Sequence, residues 1–299
     1  MNGSALALLI ALVLVWGANW PIMKLGIEHI QPLWFACLRL ALGAASLFLL
    51  LVPLGRIRLP SRADLPVVAS VGLLQMALFM ALVNLALQWV PPGRSAILAY
   101  TTPLWVAPGA ALVLGERLSR GRLAGMALGL GGVAVLFGPQ DFDWSKPQAL
   151  AGNGMLLLAA LVWAVTIVHI RGHRWRAAPL DLAPWQMILG LAPLAAVAWV
   201  VEGPPRADTS TEFLAVAAYN GPFATAFAFW AVVTVNRRLP ALSVSLALLC
   251  VPAAGLLFSA AITGEAVSMG ELLGLGLIAA GVGVVAVDSL RCPRSGEVP

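Results

Sequence analysis

Ten apolar stretches, each long enough to cross a membrane, follow one another along this chain of 299 residues. A helix needs about 20 apolar residues to span the hydrocarbon core of a bilayer. Only 10% of the residues are charged, against about 25% in soluble domains, so lipid rather than water must cover most of the surface. We therefore predict an all-α membrane protein with ten transmembrane helices. The predicted helices are 4–27, 32–54, 65–89, 94–114, 121–138, 151–170, 180–201, 213–235, 241–263 and 271–288.

The basic residues are distributed unevenly between the two sides of these helices. If the N-terminus is cytoplasmic, 13 of the 18 Lys and Arg residues fall in cytoplasmic segments, four fall on the other side and Arg39 lies within a span. Cytoplasmic loops are enriched in Lys and Arg. The pattern predicts a multi-pass membrane protein with both termini in the cytoplasm, and we expect its membrane to be a bacterial inner membrane. It also explains the net charge of +5 without a nucleic-acid partner.

The second half of the chain repeats the first. When Pro103 is aligned with Pro252 and no gaps are introduced, 12 of the 33 positions in 103–135 are identical to their counterparts. The first helices of the two halves also match, because Trp16 aligns with Trp163. Chance similarity between helices rich in Gly, Ala and Leu explains scattered identities, but not prolines and a tryptophan at nearly constant spacing. The chain therefore divides into two predicted repeats.

Each predicted repeat, 1–147 and 148–299, contains five helices, so the second copy enters the membrane in the opposite orientation to the first. The loops agree with this inversion. The segment GERLSRGR at 115–122 is basic, whereas its counterpart GEAVSMGE at 264–271 has no basic residue and gains an acid. Inverted repeats around a central cavity are typical of secondary transporters, in which two halves expose one site to each side alternately.

Four features carry a resemblance to a known family. They are VWGANWPIMK at 15–24, QPLWFACLRLALGA at 31–44, the doubled Pro-to-Gly-Glu stretch that begins at Pro103 and Pro252, and glycine-rich fifth and tenth helices. In these features the whole chain resembles the ten-helix EamA-type exporters of the drug/metabolite transporter superfamily. The resemblance implies export of amino acids, aromatic ones among them, or of other small metabolites. It also implies a cavity lined by helices one to four and six to nine, with five and ten outside it.

The first helix places three candidate binding residues on one face. Trp16, Asn19 and Trp20 follow the spacing i, i+3 and i+4. Trp16 lies near the middle of the bilayer, although indoles usually prefer its interfaces. Trp163, its counterpart in the second repeat, is equally deep. Both indoles could line a central cavity, or they could pack between helices with the indole N–H bonded to a carbonyl.

The remaining candidate binding residues are polar or large apolar side chains on three further helices. They are Gln75, Phe79 and Met80 on helix three, Tyr100 and Trp105 on helix four, and Phe223 and Phe227 on helix eight. Residues of these types form the walls of pockets for bulky apolar ligands. The stripe on helix eight is more often a packing surface than a ligand site. Pro103 and Pro252 could act as hinges or as static bends.

Arg39 is the charged side chain deepest within a predicted span. Such a residue is a candidate for function, and it could receive a substrate carboxylate. A structural role at the helix end is slightly favoured, because the outer end of helix two is only about seven residues away. His169 could accept a proton or simply pack. Because no Asp or Glu lies in the middle of a span, facilitated export, exchange and proton coupling all remain open.

Other functions are weaker alternatives. A drug or cationic-compound exporter would favour acidic residues inside the spans, and a purely structural membrane subunit would need no cavity. An intramembrane enzyme would need clustered catalytic side chains, which the spans lack. No cofactor or metal is predicted, so the expected partners are a small-molecule substrate and the lipid bilayer. The GxxxG-like spacings at Gly121–Gly129 and Gly270–Gly274 allow close helix approach, either within the chain or in a homodimer.

Overall fold

A computed structural model describes residues 3–116, 118–138, 145–238, 244 and 247–291, and these residues form helices without any β-strand. Ten helices follow in chain order. They are α1 (Gly3–His29), α2 (Pro32–Leu51), α3 (Leu65–Ala86), α4 (Pro92–Leu114), α5 (Arg120–Leu136), α6 (Pro147–Gly172), α7 (Pro179–Glu202), α8 (211–238), α9 (Cys250–Thr263) and α10 (Met269–Arg291).

Eight of these ten helices are long and apolar enough to cross a membrane. The two others are α5, with 17 residues, and α9, with 14. Residues 241–243 and 245–246 of the predicted ninth helix lie outside the described residues, as do residues 292–299. The prediction of an all-α, multi-pass membrane protein is confirmed.

Proline and glycine set the helix ends at equivalent places in the two halves. Pro32 and Pro179 are the first residues of α2 and α7. At this position a backbone N–H would have no acceptor within the helix, so proline costs no hydrogen bond. Gly115 and Gly264 end α4 and α9 with φ of 67° and 68°. Glycine adopts this left-handed conformation without the strain that a Cβ would cause.

Two interior irregularities also occur at equivalent places. The backbone widens into π-helical segments at Val71–Phe79 in α3 and Tyr219–Phe227 in α8. The helix α4 is interrupted at Tyr100, just before Pro103, and a turn at Leu249 precedes α9 in the same way. Equivalent irregularities in both halves are expected when the two halves share one backbone design.

The interruption in α4 has a local chemical cause. Pro103 has no N–H, so the carbonyl of Ala99, four residues earlier, loses its helical donor. The Thr102 hydroxyl donates to that carbonyl at 2.8 Å, and the Thr101 hydroxyl donates to Leu98 O at 2.7 Å. Serine and threonine side chains commonly satisfy carbonyls freed in this way inside membranes.

The contacts between helices follow the same pairing. Exchanging each helix with the one five places later converts α1–α9 contacts into α6–α4 contacts and α3–α7 contacts into α8–α2 contacts, and both kinds are present. The pairs α2–α7 and α5–α10 map onto themselves and are also present. This pattern is the one expected for two repeats related by a pseudo-two-fold axis.

Glycines bring α5 and α10 into backbone contact. A Cβ on Gly281 would lie 2.4 Å from the carbonyl oxygen of Gly125, and a Cβ on Gly132 would lie 2.8 Å from that of Gly274. The two contacts exchange under the pseudo-two-fold relation. Of the two alternatives for the glycine motifs, close approach within the chain is therefore the one observed. A homodimer would have to form through a surface other than these glycines.

Asp64 connects the start of α3 to the loop between α6 and α7. Its buried carboxylate accepts hydrogen bonds from the Arg176 N–H at 3.0 Å, the Ala177 N–H at 3.2 Å and the Ser61 hydroxyl at 2.8 Å. Burial acts to raise the pKa of Asp64, but these hydrogen bonds and His173 outweigh it and hold the pKa below its usual range.

We expect Asp64→Asn to lower the melting temperature of the detergent-solubilised protein by roughly 5 °C at pH 7, because a hydrogen bond to a charged group is worth about 1.5–3 kcal/mol. A carboxylate with a lowered pKa stabilises the fold above its ordinary pKa, and this stabilisation is lost as the pH falls through the lowered value. The difference from wild type should therefore shrink below about pH 4.

Asp208→Asn is the matched control. The pKa of Asp208 is also lowered, mainly by its hydrogen bond with His29, but the Asp208 side chain is 59% exposed. Solvent screens such a pair, so the control should melt close to wild type. An equal loss of stability in both variants, or a loss in Asp64→Asn that does not depend on pH, would contradict the assignment.

Candidate functional site

A cavity of about 110 Å³ lies between α1, α2, α3, α4, α6, α7 and α8. Helices α5 and α10 contribute no lining residue, and neither does the described part of α9. Eight of the eleven predicted binding residues line this cavity. They are Trp16, Asn19, Trp20, Gln75, Phe79, Met80, Tyr100 and Trp163. Binding of a substrate by these residues stays a prediction.

Four aromatic rings form a continuous aromatic wall along one side of the cavity. The Trp163 ring centroid lies 5.3 Å from that of Phe79 and 5.9 Å from that of Tyr100. The Tyr100 centroid lies in turn 6.5 Å from that of Trp20. The rings meet edge to face or tilted, which is the favoured geometry for aromatic pairs. Residues from α1, α3, α4 and α6 therefore build one apolar surface.

Trp16 combines the two roles that its sequence position left open. Its indole lines the cavity, and its N–H donates to the carbonyl oxygen of Ala224 at 3.3 Å. Ala224 belongs to the π-helical segment of α8. The hydrogen bond satisfies the indole away from water and connects α1 to α8 beside the cavity.

Both π-helical segments contribute residues to the lining. Gln75, Met76 and Phe79 come from the segment in α3, and Ala224 and Thr225 come from the segment in α8. A π-helical turn is rare and frequently occurs at functional sites. The irregular backbone thus lies where the chain surrounds a void.

Arg39 lies on the cavity wall, with 7% of its surface exposed. Its Nε donates to the Thr225 hydroxyl at 2.9 Å, and its Nη1 donates to the Met23 sulfur at 3.0 Å. The Thr225 hydroxyl donates in turn to Asn220 O at 2.7 Å. Arg39 is therefore held by α1 and α8 beside the void, and its hydrogen bonds go to neither helix-end carbonyls nor the membrane surface.

Three predicted binding residues lie elsewhere. The Trp105 indole N–H donates to the Thr101 hydroxyl of its own helix at 3.3 Å, Phe223 is 56% exposed on the outside, and Phe227 packs against Trp230. The aromatic stripe of α8 does exist, but the opposite side of the π-helical segment faces the cavity. Its packing interpretation is the one that the geometry favours.

Several lining residues were not among the predicted binding residues. Apart from Arg39, they are Met23, Met76, Val83, Met187, Ala224, Thr225 and Phe229. Met23 and Met76 share helix faces with predicted residues, so their spacing was an available signal. Met187 and Ala224 are ordinary apolar residues of a membrane helix and carry no signal. His169 is not a lining residue, and its Nδ1 lies 2.7 Å from the Ser70 hydroxyl.

The model of the EamA-like transporter family matches residues 3–138 and again residues 150–287. The chain belongs to the EamA-like transporter family. The expected resemblance to the drug/metabolite transporter superfamily is thereby confirmed, and the chain is a membrane transporter rather than an enzyme. Both family matches contribute residues to the cavity, since α1 to α4 fall in the first and α6 to α8 in the second.

Relatives of this EamA-like chain span nearly its whole length. An uncharacterized transporter of Bacillus subtilis, YoaV, is 28% identical over 92% of this chain and 94% of its own. A probable amino-acid metabolite efflux pump of Salmonella typhimurium is 28% identical over 98% and 97%. A probable terminal-alkyne amino-acid exporter of Streptantibioticus cattleyicolor is 27% identical over 97% and 96%.

A solved crystal structure shares the fold of this EamA-like chain. It superposes with a TM-score of 0.64 over 97% of this chain and 99% of that one, at 24% sequence identity. The likeness extends over both family matches and therefore over all the helices that line the cavity.

Proposed function

We propose that the protein is a secondary transporter that exports amino acids, including aromatic or other apolar ones, or related small metabolites across the bacterial inner membrane. The observation that carries the proposal is the cavity itself. It combines an aromatic wall, the basic Arg39 and polar Asn19 and Gln75, and none of its lining residues is acidic. An amino acid has an apolar side chain and two charged groups, and so it suits a cavity that offers both kinds of surface.

Transport would proceed by alternating access, with the repeats 1–147 and 148–299 moving relative to each other around the cavity. Two observations support this mode. The helix contacts exchange between the halves, and backbone irregularities occur at equivalent positions in both. The excess of basic residues in alternate loops supports cytoplasmic N- and C-termini. The names of two relatives, as probable exporters of amino acids or their metabolites, support the substrate class.

The alternatives have less support from the site. A cationic substrate would meet Arg39 inside the membrane without any acidic lining residue to offset the repulsion. A purely structural subunit has no use for an aromatic and basic cavity at the centre of its helices. Dimerisation stays a prediction.

Counterflow in proteoliposomes tests the proposal. We expect liposomes loaded with unlabelled phenylalanine to accumulate labelled phenylalanine through the purified protein, and protein-free liposomes to accumulate none. The cavity, at about 110 Å³, is smaller than typical ligand sites of about 300–1,000 Å³. A series of unlabelled alanine, leucine, phenylalanine and tryptophan would therefore measure the side-chain size that it accepts.

The same liposomes distinguish the modes of coupling when a pH gradient is imposed. Accumulation that follows the gradient indicates proton coupling, and accumulation that ignores it indicates exchange or facilitated export. Absence of counterflow for every amino acid in the series, from protein that elutes as a monodisperse peak, would contradict the proposed substrate class.

A further inference from the structure

Arg39 is a buried cation without a carboxylate partner in the described part of the chain. The ion pairs among the described residues involve other basic groups. An isolated charge in a low-dielectric interior is costly, so such a residue is normally compensated. Because no carboxylate lies in the middle of a span, a bound molecule with a negative charge could supply the compensation.

The hydrogen bonds of Arg39 also leave capacity for a ligand. A guanidinium carries five N–H donors. Two of them are used, one by Thr225 Oγ1 and one by Met23 Sδ, and a thioether sulfur is a weak acceptor. The other three have no hydrogen-bond partner among the described residues, and the side chain lines the cavity. The planar guanidinium can therefore offer parallel N–H groups to two oxygens, which is the arrangement that a carboxylate accepts.

Asn19 supplies a complementary group in the same cavity. Its side chain is 4% exposed, and its Oδ1 is a buried acceptor without a hydrogen-bond partner among the residues that the structure describes. A buried polar atom left unpaired costs about 1–3 kcal/mol. A ligand that donates a hydrogen bond there would remove this cost. Arg39 and Asn19 both line the cavity beside the aromatic wall, so one residue offers free N–H donors and the other an unpaired amide oxygen.

We propose that Arg39 binds the α-carboxylate of the substrate and Asn19 Oδ1 accepts from its α-ammonium group, while the substrate side chain lies against Trp20, Tyr100 and Trp163. This inference rests on the proposed function and specifies how its substrate is recognised. It requires a free carboxylate in every good substrate. Amines and esters derived from amino acids should therefore be excluded, although their apolar portions are the same.

A competition series on the wild-type protein tests the requirement. Counterflow of labelled phenylalanine is measured with unlabelled phenylalanine, phenylalanine methyl ester, phenethylamine or 3-phenylpropionate as competitor. We expect the ester and the amine to compete at least about tenfold more weakly than phenylalanine, since charge-assisted hydrogen bonds are the strong ones. Phenylpropionate, which keeps the carboxylate and lacks the ammonium, should compete more weakly than phenylalanine but more strongly than the ester and the amine.

Substitutions test whether Arg39 and Asn19 are the residues that recognise the carboxylate and the ammonium group. Arg39→Gln should raise the half-saturation concentration for phenylalanine about tenfold or more, and phenethylamine should not compete more strongly than with wild type. Arg39→Lys should restore part of the affinity for phenylalanine. Asn19→Leu should weaken the binding of phenylalanine but leave the binding of phenylpropionate unchanged. Arg174→Gln removes one exposed arginine by the same substitution and should behave as wild type. If Arg39→Gln does not elute as a monodisperse protein, the competition series on the wild-type protein decides whether a carboxylate is required.

The outcomes separate the two proposals. Equal competition by phenylalanine and its methyl ester, or unchanged phenylalanine affinity in Arg39→Gln, would overturn the carboxylate site while leaving amino-acid transport intact. Exchange of phenylpropionate without phenylalanine would overturn the amino-acid substrate and support Arg39 as a carboxylate site. Exchange of phenethylamine alone would overturn both.

Discussion

Gly281→Leu is expected to prevent recovery of folded protein. The Cβ that any other residue adds at position 281 would lie 2.4 Å from the carbonyl oxygen of Gly125 and 2.5 Å from the backbone nitrogen of Gly129. These atoms belong to the α5 backbone, which cannot rotate away as a flexible side chain can. The two helices would have to separate along their length and lose their close packing.

Overpacking by a few methylene groups costs about 1–3 kcal/mol in a core where side chains can adjust. Contact with backbone leaves less room for adjustment, so we expect the cost to be larger here. The measurement is the yield of monodisperse protein on size-exclusion chromatography after detergent extraction, together with the melting temperature of any that remains.

Gly276→Leu and Gly283→Leu are matched controls on the same helix. A Cβ at either position meets no atom within 4 Å, so the leucine would enter open space and also favour the helix. Both variants should give wild-type yields. Normal yield and melting temperature of Gly281→Leu would mean that the α5–α10 contact is not as close as described.

Trp163→Ala should reduce the transport rate at limiting substrate by at least about thirtyfold, because truncation of a central aromatic contact typically costs 2 kcal/mol or more. The Trp163 ring contacts both Phe79 and Tyr100, so its removal opens the middle of the aromatic wall. Trp16→Ala should also impair transport, since it removes a lining residue and the hydrogen bond to Ala224. Initial rates of amino-acid counterflow in proteoliposomes measure both effects.

Phe223→Ala is the control for these two variants. It also removes an aromatic ring from a membrane helix, but this ring is 56% exposed and lies outside the cavity lining. Its transport rate should stay within about twofold of wild type, in line with the small effect of most surface substitutions. Wild-type rates in both tryptophan variants, at equal protein incorporation, would show that the indoles only pack.

Much of the cavity was predictable because the repeat marks equivalent positions. Trp16 and Trp163 were identified by depth and by alignment with each other, and both line the void. On α8, the predicted Phe223 and Phe227 are not among the residues that line the void, whereas Ala224, Thr225 and Phe229 are. Regular helical spacing groups these rings correctly, but it does not state which side of the helix faces inward.

Arg39 also separates what local sequence shows from what depends on the packing of helices. Its depth in the second predicted helix marked it as unusual, and that signal is local. Its hydrogen-bond partner Thr225 is 186 residues away, on a π-helical segment that the spacing of residues did not predict. Contacts at such a separation arise only when the helices have packed, since they depend on the rotation and depth of each helix in the bundle.

The amino-acid sequence by itself determined that lipid covers most of the surface, where the helices approximately lie and that the two halves are similar. Each of these properties depends on composition or on a repeat along the chain. Tertiary packing alone decided where the π-helical segments widen the backbone, which face of α8 meets the void, and which groups surround Arg39. In lipid nearly every face of a membrane helix is apolar, so hydrophobic patterning does not distinguish the face toward the cavity from the face toward the bilayer. Close contacts between particular residues make that choice.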